Sequence, residues 1–473
     1  MKKILPFLIF IFFNTYAIAQ SNKQKIDSVN SLVVKYFNAK NADSLYALSG
    51  DAFKSQLSAD QFKQICNNNL FPLGIMQTTF ESNTSGINKY KAVFSTGTIL
   101  ALYVSLDDKD KLYTFLFKPY IDETNKKTSV ATNNSLSSVL DKAVDSIVKP
   151  YITLAATCGL SIGVLKNNAM HFYGYGETTK GDKQIPDEHT LYEIGSITKT
   201  FTAILLADAV NNGKIKLDDP VNKYLPDSIP PLQYDGSTVT IEMLSNHSSG
   251  IPRMPNNFDD VATDSLNPYK SYDEQKLFSF YKTFKLNRKP GTQYEYSNLA
   301  AATLGIILEH VYHKSFEELV TEKICAPLRM NNTHQFISAN DSARVATGYS
   351  ENGEYNGPWD FEAFAPAGSL RSDAADMLMY AKANLGDAPS ALNKDIQLTH
   401  VITFTDGGNK VALGWHYIKA GNDEILFHNG GTGGYRSYLG INLDKKIAVV
   451  ILSNTAISVD DVGNELMKWM ENN

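Results

Sequence analysis

Apolar residues recur at helical spacing early in the chain. Ile26, Val29, Leu32, Val33, Tyr36 and Phe37 fall on one face and predict an amphipathic helix. Ser58 followed by Gln61 reads as the capping box of a second helix. The period then changes to two. Residues 74–81, 90–95, 99–106 and 112–117 read as strands, with residues 107–111 as a hairpin loop between the last two. Helices followed by antiparallel strands predict a small α+β accessory domain over residues 20–121. Residues 122–134 are rich in Thr, Asn and Lys, lack periodic apolar positions and read as a linker.

The rest of the chain, residues 135–473, has a different order. Residues 136–147 predict an amphipathic helix stopped by Pro150. Residues 160–165 and 170–175 read as a hairpin around Lys166-Asn167-Asn168. A long helix is expected over residues 197–211, ended by Gly213. Residues 217–359 are Pro-rich and read as helical or irregular. Strands return at residues 411–418, 425–428, 435–442 and 448–453, before a final helix. One sheet is thus expected to take strands from both ends of this region, with a helical insertion between them.

Composition narrows the function. The 473 residues include 44 basic and 50 acidic side chains, a formal net charge of −6, with 43% hydrophobic and 20% charged positions. That is the balance of a folded globular chain. Without a basic surplus or a basic block, no nucleic-acid partner is expected. Lys2 and Lys3, the apolar residues 4–13 and the small-residue site Ala17-Ile18-Ala19 read as a secretory signal over residues 1–19. An uncleaved anchor is the alternative, disfavoured by the short apolar core. Beyond it no apolar run is long enough to span a membrane, so a periplasmic or secreted protein is expected. Cys66, Cys158 and Cys325 are too few for a disulfide scaffold and read as small buried hydrophobes.

Three segments could carry chemistry. In Glu193-Ile194-Gly195-Ser196-Ile197-Thr198-Lys199, Ser196 stands where a Gly-marked loop enters an apolar helix, and Lys199 returns to the same face three residues on. A serine hydroxyl is a poor nucleophile without a base. Lysine is that base only if its pKa falls from about 10.4 toward neutrality, which burial favours. The spacing alone is unspecific: Ser146-Ile147-Val148-Lys149 matches it on what reads as a solvated helix face. The second segment is Tyr294-Glu295-Tyr296-Ser297-Asn298, where a tyrosine can relay a proton and an asparagine can hold a carbonyl. Tyr36-Phe37-Asn38 matches that spacing too, as part of a helix face. The third is His428-Asn429-Gly430-Gly431-Thr432-Gly433-Gly434-Tyr435-Arg436, whose small residues would let a substrate lie against a strand.

Taken in this order, the three segments resemble the Ser-x-x-Lys, Tyr-x-Asn and Lys-Thr-Gly elements of the serine β-lactamase and penicillin-binding group, most closely its class C branch. The string from Gly195 to Thr202, residues 244–252 (Leu-Ser-Asn-His-Ser-Ser-Gly-Ile-Pro) and residues 432–438 are similar to that branch as well. The resemblance covers residues 136 to the end and implies an α+β fold, an antiparallel sheet flanked by helices with a helical subdomain. It implies Ser196 as acylated nucleophile and Lys199 and Tyr296 as general base and acid. Asn298 would bind substrate and Lys199, and the N–H groups of Ser196 and Gly431 would form the oxyanion hole. His428, Gly430, Gly431 and Arg436 would line the substrate strand. No metal or cofactor is implied. Residues 20–121 resemble, by element order, the cone-shaped nuclear-transport-factor-like domains.

One departure matters. His428 stands where the group has a lysine, and histidine is mostly neutral at pH 7. This places carboxylate recognition in question unless Arg436, at the same parity, restores the charge. The expectation is an exported serine hydrolase acting on small esters, amides or D-residue peptides. The rivals are β-lactamase or D,D-carboxypeptidase activity, a non-catalytic binder of cell-wall peptides or a partner protein, and an N-terminal module that carries the main function. His247 reads as a structural loop residue, the pair His310 and His313 as a surface helix, and Gly368 as a turn in the pocket wall or a plain loop.

Overall fold

The computed structural model describes residues 23–84, 86–122 and 124–473; the secretory signal expected over residues 1–19 lies outside them. The chain divides into two compact units after Asp122. In the first, the helix Lys23–Asn38 buries Ile26, Val33 and Phe37, the apolar stripe of the sequence. Ser58 and Gln61 form the expected capping box at Ala59–Ile65. Strands β1 (Met76–Thr84), β2 (Ile87–Phe94), β3 (Ile99–Leu106) and β4 (Leu112–Pro119) make an antiparallel meander in that order. Phe37 packs against Phe71, Phe94 and Phe117 with ring centroids 5.4 to 6.2 Å apart. Helices on one face of a meander give this unit its own core.

The second unit is built on an eight-stranded antiparallel sheet. Its strands are β5 (Gly159–Lys166), β6 (Ala169–Gly176), β7 (Phe404–Asp406), β8 (Asn409–Val411), β9 (His416–Ala420), β10 (Asp423–Gly431), β11 (Arg436–Asn442) and β12 (Ile447–Ser453). They run in the order β7-β8-β9-β10-β11-β12-β5-β6, so the C-terminal strands complete a sheet begun by the first hairpin. Asn167 and Asn168 adopt positive φ, as a tight turn between β5 and β6 requires. Every residue of β12 is buried, because helices cover both faces. Tyr438 faces the helix Asp460–Asn472, bonding Asn464, while Leu439 on the opposite side joins the core that holds Leu378 of helix Ala374–Asn384. The helical insertion lies between the two sets of strands. The whole is the α+β arrangement expected from the sequence.

Three local expectations differ. The polar stretch expected as a linker, residues 122–134, is largely part of the second unit. Lys127 Nζ donates to the Thr157 carbonyl at 2.7 Å, Asn134 Nδ2 to the Tyr175 hydroxyl at 2.7 Å, and Asn133 N–H to the Gly174 carbonyl. These bonds need no apolar period, so the pattern could not show them. Pro150 does not stop its helix, which runs Val139–Ile152. The expected strand over residues 411–418 is two strands, split at Gly414 with φ +68°. A Cβ there would stand 2.7 Å from the Lys199 carbonyl oxygen, so this turn presses on the helix carrying Lys199.

That helix, Thr198–Asn211, is buried on nearly all sides. Phe201 is fully buried and stacks on Tyr380 at 4.2 Å. Phe201→Ala is expected to destabilise the second unit by about 3–5 kcal/mol. Denaturant unfolding measures this, and a loss below about 1 kcal/mol would contradict the packing described.

Candidate active site

Ser196 sits in a single 3-10 turn, Gly195–Ile197, that leads straight into the buried helix. The turn is held from both sides. The Ile194 N–H donates to the Leu370 carbonyl at 3.0 Å, and the Ile194 carbonyl accepts from Ser437 Oγ at 2.8 Å. Gly195 has φ +50°, and a Cβ on it would lie 2.6 Å from the Gly431 nitrogen. The absence of a side chain at Gly195 therefore lets the loop of Ser196 come close against the end of β10.

Lys199 Nζ lies 2.9 Å from Ser196 Oγ and donates to the Ala367 carbonyl at 2.6 Å. Only 3% of the residue is exposed, and no carboxylate among the described residues pairs with it. Burial first, then the positive charge of Arg253, push its pKa well below the usual lysine range. An amine in this state offers its lone pair to the Ser196 hydroxyl. By contrast, the copy at Ser146 and Lys149 is exposed on its helix. In the other copy Asn38 is spent on the backbone of Met76.

Tyr296 lies beside this pair, its ring centroid 4.9 Å from Lys199 Nζ. Burial raises its pKa to about 12, against the opposing influence of Arg253 and a hydrogen bond with Ser196. It is therefore a neutral phenol at physiological pH. Asn298 opens the helix Asn298–Tyr312, and its Oδ1 is buried without a hydrogen-bond partner. Its Nδ2 donates to Met254 Sδ at 3.8 Å, while Lys199 takes the Ala367 carbonyl; no bond joins Asn298 to Lys199, unlike the expectation.

The third segment supplies the end of β10. His428 is buried, its Nδ1 2.7 Å from the Asn429 carbonyl and its Nε2 without a partner. Burial and the neighbouring His416 and Lys199 hold it well below the usual histidine range, so it is uncharged. Arg436 faces Gly431 across the ladder. Its guanidinium bonds the Thr432 and Tyr435 carbonyls at 2.8 and 2.9 Å and Glu351 at 3.3 Å. Its charge is thus engaged by two carbonyls and a carboxylate. The parity argument failed because residues 432–435 interrupt the strand. Ser196, Asn298, Gly368 and Gly431 line one cavity, whose remaining wall includes Tyr269, Trp359, Phe361 and Phe364.

Sequence reasoning missed three neighbours. His416 Nε2 lies 2.8 Å from the Tyr294 hydroxyl, and its ring is near both His247 and His428. Tyr269 comes from the irregular insertion, where no period marks it. Arg253 follows the 244–252 string directly; its guanidinium carbon lies 5.0 Å from the Tyr296 ring centroid. Its carbonyl accepts from the Asn298 and Leu299 N–H groups at 3.1 and 3.2 Å. His247 adopts φ +62° and accepts from the Ser297 N–H at 3.2 Å, so it orders the loop that carries Tyr296. His310 pairs with Glu274 at 2.8 Å and His313 ends its helix in the left-handed region, both away from this site.

A Cβ on Gly430 would lie 1.9 Å from the Ile194 carbonyl oxygen. Gly430→Ala is expected to push β10 off the turn of Ser196 and slow labelling of Ser196 by a fluorophosphonate by about 100-fold, the cost of displacing a site by about 1 Å. Labelling at the native rate would contradict the tight approach.

Comparison with known proteins agrees with this geometry. The Beta-lactamase family profile matches residues 144–468. A Pseudomonas fluorescens β-lactamase is 28% identical over 352 residues, covering 66% of this chain and 93% of that protein. The D-alanyl-D-alanine-carboxypeptidase/endopeptidase AmpH of Escherichia coli K12 is 27% identical over 358 residues, 71% of this chain and 90% of that one. A solved class C β-lactamase superposes with a TM-score of 0.63 at 24% identity, covering 72% of this chain and 99% of that one, a likeness of fold. With the profile spanning more than half of its length and the Ser196–Lys199 pair inside it, this chain belongs to the Beta-lactamase family of serine hydrolases.

Proposed function

We propose that the protein hydrolyses small esters, amides or D-residue peptides through an acyl-enzyme at Ser196. The observation that carries this reading is the 2.9 Å contact between Ser196 Oγ and a lysine buried without a carboxylate partner among the described residues. Lys199 takes the Ser196 proton as Oγ attacks the substrate carbonyl. The N–H groups of Ser196 and Gly431 receive the oxyanion. Tyr296, a neutral phenol, passes its proton to the leaving group as the carbonyl–leaving-group bond breaks and takes back the serine proton from Lys199, which returns to the neutral amine. Asn298 offers its unpartnered Oδ1 to the substrate. A water then cleaves the Ser196 ester along the reverse proton path.

The opposite shifts of the two candidate bases favour Lys199 as the first. Lys199 is lowered toward its uncharged form, whereas Tyr296 is raised to about 12 and stays protonated. β-Lactamase or D,D-carboxypeptidase action is the second reading, favoured by the names of the relatives. We further propose export by the segment 1–19 and an accessory role for residues 20–121. Among the described residues no helix is long and apolar enough to cross a membrane.

p-Nitrophenyl acetate tests the acyl reading. Turnover by the native protein and its loss in Ser196→Ala are expected; equal rates would remove this reading. The pH profile tests the base. Because the reactive form needs uncharged Lys199, kcat/KM should rise with pH through the lowered lysine pKa. Arg253 contributes to that lowering, so Arg253→Ala should move the acidic limb to higher pH. A limb that stays in place or moves lower would contradict Lys199 as the base.

A further inference from the structure

The site has an unusual distribution of charge. The group that replaces the family's lysine, His428, is uncharged. Nearby cations are already engaged: Arg436 with Glu351, Arg371 with Glu193 at 3.2 Å, and Arg288 with Glu295. Lys199 is committed to Ser196 and the Ala367 carbonyl. Arg253 differs. Its side chain makes no ion pair or hydrogen bond with any described residue, and the residue is exposed. Yet its place is fixed. Its carbonyl holds the first two N–H groups of the Asn298–Tyr312 helix, and its guanidinium stands over the ring of Tyr296, beside the reacting pair.

We propose that Arg253 is the anion receptor of this site and that the substrate carries a carboxylate on the Tyr296 side of the scissile carbonyl. A guanidinium presents a planar fork of donors that matches a carboxylate, and it stays charged at every working pH. The aromatic face beneath orients it, since a cation over a ring is held without consuming its in-plane donors. The receptor thus belongs to the loop after Pro252 and stands over Tyr296, whereas the family's lysine would have come from the strand of His428. The orphaned Asn298 Oδ1 lies on the segment that Arg253 caps, leaving an acceptor there for a substrate N–H. This inference rests on the acyl-enzyme reading for its meaning in catalysis, but its test includes binding alone.

Two substrates and two ligands separate the outcomes. The thioester of benzoylglycine with mercaptoacetate carries a free carboxylate; its methyl ester does not. The native protein is expected to prefer the acid. In Arg253→Ala the acid-to-ester ratio of kcat/KM should fall about 10- to 100-fold, the range for a hydrogen bond to a charged group. Arg253→Lys should restore part of it. A ratio changed by less than about twofold, even with both substrates slowed alike, would overturn the inference and leave Arg253 acting only through Lys199 and Tyr296. Calorimetric binding of benzoylglycylglycine against benzoylglycylglycinamide, both to the Ser196→Ala protein, gives the same comparison without turnover. Tighter binding of the acid, lost when Arg253→Ala is added, supports the receptor; equal affinities with Arg253 in place overturn it. Fluorophosphonate labelling of Ser196 reports separately on the acyl-enzyme reading, so either can fail without the other.

Discussion

A lysine whose pKa burial drives well below its usual range is the constraint on which the second unit's candidate site depends. Each pKa unit by which Lys199 falls costs the fold about 1.4 kcal/mol relative to a solvated ammonium. The surroundings make that state tolerable without neutralising it by a carboxylate. The Thr198–Asn211 helix is buried nearly all round, the Gly414 turn presses on its first turn, and the Ala367 carbonyl occupies one amine N–H. An acidic side chain at Nζ would stabilise the fold and end its use as a base. The absence of such a partner among the described residues is thus a chemical feature of the site.

The same dryness governs the other titratable groups. Tyr296 rises and stays a phenol, while His416 drops to about 4 and His428 falls with it. Burial moves acids up and bases down, so one environment leaves a set of neutral donors and acceptors around Ser196. Fixed positive charge then has to come from a residue at the edge, where water still solvates it. Arg253 satisfies that condition, and its backbone ties it to the Tyr-x-Asn segment. Arg436 does not, since it is half-buried and compensated by Glu351 and two carbonyls.

The glycines explain how two distant parts of the chain meet here. Gly195 precedes the nucleophile, and Gly430 and Gly431 end β10 more than two hundred residues later. A side chain at Gly195 or Gly430 would overlap backbone of the other segment. Close approach puts Ser196 and Gly431 on one cavity, a geometry that neither segment has by itself.

Most of the strands, the capping box at Ser58, the division of the sheet between the two ends of the second unit, and Ser196, Lys199 and Tyr296 as candidate residues were legible in the sequence. Those features are local: they are written in period, cap chemistry and short spacing. Spacing did not separate Ser196-x-x-Lys199 from Ser146-x-x-Lys149; the fold did, by burying one and exposing the other. The folded chain also shows that residues 124–134 join the second unit through backbone and side-chain bonds, and that residues 411–418 break at Gly414. Only the folded chain could show that Asn298 and Lys199 have different partners, that Arg436 pairs with Glu351, and that Arg253 has no ion pair among the described residues. A residue's pKa and the freedom of its charge are properties of what surrounds it in space, and those neighbours come from segments far apart in the chain.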